Sequence, residues 1–189
     1  MHCHQGFVNH VFFDGLAKEI GIEKAMTWPE KHHLVSKGYH GRIFEGNACR
    51  CLLKNSESIL ELDGTLETLV KYKDAFSDFN HLVANLFSSS KINISNDTVR
   101  YLLETAVASY MKLGITITLK VHVIFNHLEQ MLSRCHGLGL GIYSAQAIES
   151  SHREFLDHFW YKYKIESLTN PNYAQNLMKA CVEFSSKHK

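Results

Sequence analysis

The chain has 189 residues, of which 45% are hydrophobic and 21% charged, with a formal net charge of +1 and a pI near 7.7. That is enough chain for one domain with a buried core, alone or with a helical appendage. Acidic and basic residues are interspersed, so no cluster of Lys and Arg offers the phosphate neutralisation that autonomous tight DNA binding requires.

The first predicted element is a helix over "FVNHVFFDGLAKEIGI", where Phe7, Val8, Val11, Phe12, Leu16 and Ile20 fall on one stripe at i, i+3, i+4 spacing. Trp28-Pro29 is expected to interrupt it, because the residue before a proline is pushed out of the α region. "KGYHGRIFEGNACRCLLKN" carries three glycines in nine residues and reads as a turn leading into a short helix. A long helix follows in "TLETLVKYKDAFSDFNHLVANLF", with Leu66, Leu69, Val70, Phe76, Phe79, Val83 and Leu86 inward.

After the polar stretch "SSSKINIS", Ser95 is placed to cap a helix that buries Val99, Leu102, Leu103, Ala106, Val107 and Tyr110. Ile115 to Thr118 is the one β-branched run, read as a lead-in to a helix ending near Cys135 rather than as a strand. "HGLGLGIY" breaks the chain, a helix is expected from Ser144 to about Tyr163, and a last one from Tyr173 to Phe184 beyond the Asn170-Pro171 turn. The fold class is therefore mainly α, with five to six helices and no sheet. The segments divide as 1–60, an N-terminal helix and turn-rich stretch; 61–136, a helical region; and 137–189, the glycine-rich break and C-terminal helices.

Five cysteines (Cys3, Cys49, Cys51, Cys135, Cys181) are an odd number without disulfide-framework spacing, which points to a reducing compartment, nucleus or cytoplasm. No apolar stretch approaches the roughly 20 residues of a membrane span. "MHCHQGFVNHVFF" has neither a basic leader nor a small-residue cleavage site, so neither secretion nor a membrane partner is expected.

His122 and His127 are the leading metal candidates, since zinc sites use paired histidines three to five residues apart. On a straight helix an i, i+5 pair is rotated by about 140°, so one ion is shared only where a helix end or distortion helps. No C-x-x-C supplies the other two ligands; Cys49 and Cys51 form C-x-C. Glu149 stands near a helix start, where the dipole favours a carboxylate and where a hard divalent cation would find an oxygen ligand. With His152 it has the E-x-x-H spacing of di-iron bundles, though without a second copy. Gly137, Gly139 and Gly141 follow a helix and do not match a phosphate-binding loop. The donors of His2 to His4 lie on a terminus, and no Ser-His-Asp or Cys-His nucleophile stands out.

The order of four blocks adds a resemblance: "MHCHQG", "YHGRIFEGNACRCLL", "LGITITLKVHVIFNHLEQ" and "GLGLGIYSAQAIESSHREF". Together they resemble the C-terminal part of transposon-encoded DDE-type transposases. That superfamily includes the catalytic subunit of the vertebrate antigen-receptor (RAG) recombinase and Transib transposases. The resemblance implies that His122 and His127 are half of a structural zinc site shared with an upstream C-x-x-C. It implies that Glu149 is the third acid of a DDE triad and a Mg²⁺ or Mn²⁺ ligand. It also implies that the intervening helices correspond to the insertion in an RNase H-like fold, with DNA as the ancestral partner. Two-metal phosphoryl transfer needs carboxylates holding two cations about 3.5–4 Å apart, which one glutamate cannot do. The resemblance places both aspartates and the C-x-x-C upstream of the "MHC" block, and Ala145 stands where relatives often carry a glutamate. The expectation is a fragment that is not catalytic alone, forming homo-oligomers or joining a complementing transposase chain. The alternatives are a helical metal-binding protein using His122, His127, His152 and Glu149, and a plain helical interaction domain.

Overall fold

Helical periodicity is realised as seven α-helices among the described residues, which are 2–36, 43–88 and 91–143 together with Gln175, Met178, Lys179 and Glu183 of a computed structural model. These are α1 (His2–Asn9), α2 (Ala17–Ile20), α3 (Ile22–Lys31), α4 (Gly46–Lys54), α5 (Leu66–Leu86), α6 (Asn96–Met111) and α7 (Leu119–Ser133). The chain divides into two compact units, Met1–Tyr143 and Ser144–Lys189, and all seven helices lie in the first. The fold is mainly α. Among the described residues there is no strand.

A π-helical stretch, His10–Leu16, joins α1 to α2. The sequence explains why the helix widens there. Buried residues recur in pairs, Phe7 and Val8, Val11 and Phe12, Gly15 and Leu16, a spacing of four residues. An α-helix of 3.6 residues per turn would rotate such a stripe steadily off its face, whereas i→i+5 bonding widens the turn and keeps it facing the core. Phe12 and Phe13 both reach Phe44 as a result, with ring centroids 5.1 and 5.3 Å away.

The helix does not break at Trp28-Pro29 as expected. It breaks at Gly21, whose φ of 94° suits a residue without a Cβ, and Pro29 lies inside the last turn of α3. Pro29 withholds its own amide from the ladder and crowds the Ala25 carbonyl one turn earlier, a cost set against the burial of Ala25, Trp28 and Pro29 on the inner face of α3. Its carbonyl accepts from the amides of His32 (3.1 Å) and Leu34 (2.9 Å), while His33 turns through φ 55°. The bond from Leu34 and the one from His33 to Glu30 (2.9 Å) close the helix in a Schellman arrangement. This division of one expected helix into several raises the helix count.

Side-chain caps start the later helices. Thr65, Ser95 and Thr118 accept from the amides of Thr68, Thr98 and Val121 respectively. The expected inward face of α5 is largely present, but Leu66 is 70% exposed, and Tyr72, Ala75 and Leu82 complete the stripe. α6 buries Val99, Ala106, Ser109 and Tyr110, while Leu102, Leu103 and Val107 are half-buried. Ile115 to Thr118 forms neither helix nor strand and leads into α7.

α5 packs on α4, α6 and the 3-10 turn Ser56–Glu61, and α1 packs on α4 and α7. Phe7 stacks on Phe79 and Trp28 meets Phe76 edge-on, at centroid separations of 3.6 and 5.1 Å. The glycine-rich break has a packing function. The amide of Ile92 donates to Gly137 and that of Gly141 to Ser88, each at 2.9 Å, around an isolated antiparallel bridge of Lys91 with Leu138. A Cβ on Gly139 would stand 2.2 Å from the Ser88 carbonyl oxygen, so only glycine permits this approach.

Candidate functional site

α7 carries both histidines of the H-x₄-H pair. Val121, Ile124 and Leu128 bury its inner face, which leaves His122 and His127 exposed on the outer one. The two rings nonetheless meet edge to face, with centroids 5.5 Å apart and planes inclined by 72°. Side chains at opposite flanks of the outer face lean together, which overcomes the rotation that spacing alone predicts. The Nδ1 of His122 lies 3.1 Å from the Asn126 amide nitrogen, and that amide also donates to the His122 carbonyl at 3.1 Å. An Asn amide nitrogen is a donor, so Nδ1 of His122 is the acceptor of this contact. Zinc binding at Nδ1 would displace Asn126; binding at Nε2 would leave that contact in place.

Two imidazoles make half of a four-coordinate zinc set. Among the described residues, no group of three or more His, Cys, Asp and Glu is placed to hold a metal. Cys49 and Cys51 belong to no such group among the described residues. Cys49 is buried, its Sγ donates to the Phe44 carbonyl at 3.4 Å, and burial pushes its thiol up to about 12, far from the thiolate a metal takes. Glu149 and His152 lie outside the described residues, as does the expected helix from Ser144 to Tyr163.

The sequence reading passed over a second histidine site. His10, 8% exposed, opens the π-helical stretch. Its Nδ1 stands 2.9 Å from Oδ2 of Asp14 and its Nε2 2.7 Å from the carbonyl oxygen of Thr116. Lys18 donates to the other oxygen of Asp14 at 2.8 Å. The bond from Lys18, then that from His10, holds the Asp14 carboxyl below its ordinary value of 3.8. The Tyr110 hydroxyl donates to the same Thr116 oxygen at 2.6 Å, and burial, then the Asp14 charge, pushes Tyr110 up to about 12. Both nitrogens of His10 are occupied, so the ring is no free base for catalysis. The signal available in the sequence was the H-x₃-D spacing of His10 and Asp14 in a buried stripe. The partner at Thr116 was not legible.

His32 and Ser58 also meet, with Nε2 and Oγ 2.9 Å apart, but this is no nucleophile pair. The Ser58 hydroxyl donates to the Asn55 carbonyl at 2.7 Å and accepts from Trp28 Nε1 at 2.9 Å. Its proton is already committed to the backbone.

The block around Phe44 is held by α1. Asn9 Oδ1 accepts from the Phe44 amide (2.7 Å) while its Nδ2 donates to the Phe44 carbonyl (3.0 Å), and Gln5 Nε2 adds a third bond to that oxygen (3.0 Å). An amide side chain thus satisfies both backbone groups of a buried residue.

Between α6 and α7 lies a groove of about 390 Å³ with Ile92, Val99, Leu132 and Leu138 on its walls and Arg100 and Glu129 at its edge, 3.5 Å apart. No described helix is long and apolar enough to cross a membrane. No family model, curated protein or solved structure matches this chain.

Proposed function

We propose that the chain is a transposase-derived helical module in which His122 and His127 are half of a zinc site. Glu149 is proposed as a Mg²⁺ or Mn²⁺ ligand, with the remaining ligands supplied by other segments or another chain. In this reading DNA is the partner of the assembled machinery, and the 189-residue polypeptide does not cut or join DNA by itself. Phosphoryl transfer by two cations needs more carboxylates than Glu149.

The observation that supports this reading most is the approach of the two rings to 5.5 Å on the outer face of α7, against the rotation of an i, i+5 pair. Three of the blocks behind the resemblance also converge. α1 starts in "MHCHQG", clamps Phe44 of the second block, and packs against α7 of the third.

The test is metal analysis with zinc titration of the purified chain. Weak, exchangeable zinc that disappears in both His122→Ala and His127→Ala is the expected result. Stoichiometric zinc or iron that survives chelation would favour the other reading that the ring approach supports, a self-sufficient metalloprotein with His152 and Glu149 added. No zinc binding at all would leave a plain helical interaction domain. Mg²⁺- or Mn²⁺-dependent nicking of DNA that vanishes in Glu149→Gln would overturn the non-catalytic part.

A further inference from the structure

We infer that His10 is a positioning residue that latches the segment before α7 and so fixes the first turn of the helix carrying His122. The latch converges on one atom. The Thr116 carbonyl oxygen accepts from His10 Nε2 at 2.7 Å and from the Tyr110 hydroxyl at 2.6 Å, tying the π-helical stretch and α6 to one peptide of the connecting segment. Two residues later Thr118 caps α7 through its hydroxyl, and its carbonyl accepts from the His122 amide at 2.8 Å. The path from His10 to His122 therefore runs through Thr116, Ile117 and Thr118, over a stretch with little else to hold it. Ile115 packs on the core, but Ile117 is 49% exposed and Gly114 sits at φ 66°. Asp14, braced by Lys18, sets the His10 ring from the other side. Among the described residues, the charged and titratable groups against His10 are Asp14 on its own stretch and Tyr110 on α6, whose ring centroid lies 6.5 Å away.

A buried ring bonded on both nitrogens has one orientation, and an acceptor holding two donors has little freedom. Once His10 is lost, Tyr110 is the one donor left on Thr116, and the cap of α7 rests on that bond and on the buried Val121. The first turn then frays, and the His122 ring no longer keeps its separation from His127.

The test uses the whole 189-residue chain and amide hydrogen exchange at Val121 and His122, with zinc titration as a second readout. His10→Leu is expected to speed exchange at both amides at least tenfold. His10→Gln, which places an amide N–H near the site of Nε2, restores protection, whereas His10→Asn, which imitates Nδ1, does not. Should His10→Leu fail to fold, Tyr110→Phe removes the other donor while keeping an aromatic core and is expected to speed exchange at the same two amides. Zinc affinity is expected to fall severalfold in His10→Leu and to recover in His10→Gln; this arm alone rests on the proposed role of the histidine pair. Wild-type protein that binds no zinc would sink that role and leave the exchange result to judge the latch. Equal protection in wild type, His10→Leu and Tyr110→Phe, or equal loss in His10→Leu and His10→Gln, would overturn the latch itself.

Discussion

His10 and the pair His122 and His127 are the same side chain put to opposite uses. His10 is 8% exposed, and both its nitrogens are bonded to oxygens of other residues. The pair is exposed, and only the Nδ1 of His122 has a partner among the described residues. A histidine with both nitrogens spoken for is part of the structure; a histidine with open nitrogens beside a second ring is available for chemistry. Burial and bonding, not the abundance of histidine, separate the two.

The largest expected effect comes from the core that holds the buried histidine. Phe79→Ala removes the ring stacked on Phe7 and is expected to cost about 3–5 kcal/mol in chemical denaturation. A loss near 1 kcal/mol would mean that the α1–α5 contact is looser than its geometry suggests. Next is His10→Leu, which removes the ring's bonds to the half-exposed Asp14 carboxylate and to the Thr116 carbonyl; about 1–3 kcal/mol is expected from the unfolding midpoint. Fully neutral behaviour would put His10 in the same class as the exposed pair.

Acid provides a smaller test. Asp14 is held low by Lys18 and His10. At Glu19, burial alone would raise the carboxyl, but bonds from Lys71, Tyr72 and Thr68 outweigh it and lower the group. Folded values below unfolded ones mean that this stabilisation is present above the unfolded range, near pH 4, and is lost as pH falls through the lowered folded values. Both groups are at least one-third exposed, so the melting temperature is expected to drop by only a few degrees below about pH 4, with Lys71→Met reducing the drop. An unchanged melting temperature in acid would remove these ion pairs from the account. The smallest stability effect is expected from His122→Ala and His127→Ala, each within about 0.5 kcal/mol of wild type, because exposed positions away from packing rarely matter more. A larger loss in either would make the pair structural and sharpen the comparison against us.

Much of the fold was legible because helices announce themselves locally. Thr118 and Ser95 are both caps, but only Ser95, isolated in a polar stretch, was readable as one. The proline at 29 misled because its cost falls on one bond a turn earlier, and the burial of Ala25, Trp28 and Pro29 against the rest of the fold, which no local pattern shows, is set against that cost. The separation of His122 from His127 was not readable either, since spacing gives the angle between two Cα positions and not the lean of the rings.

By itself, the sequence determined that this chain is helical, where α5 and α6 begin, and which apolar stripes face inward. All of these depend on residues within a turn or two of one another. Tertiary structure alone decided that His10 is buried against Thr116, 106 positions away, and that Gly139 must admit the Ser88 carbonyl. Such contacts are set by which surfaces meet after the helices have formed, and no local period encodes them.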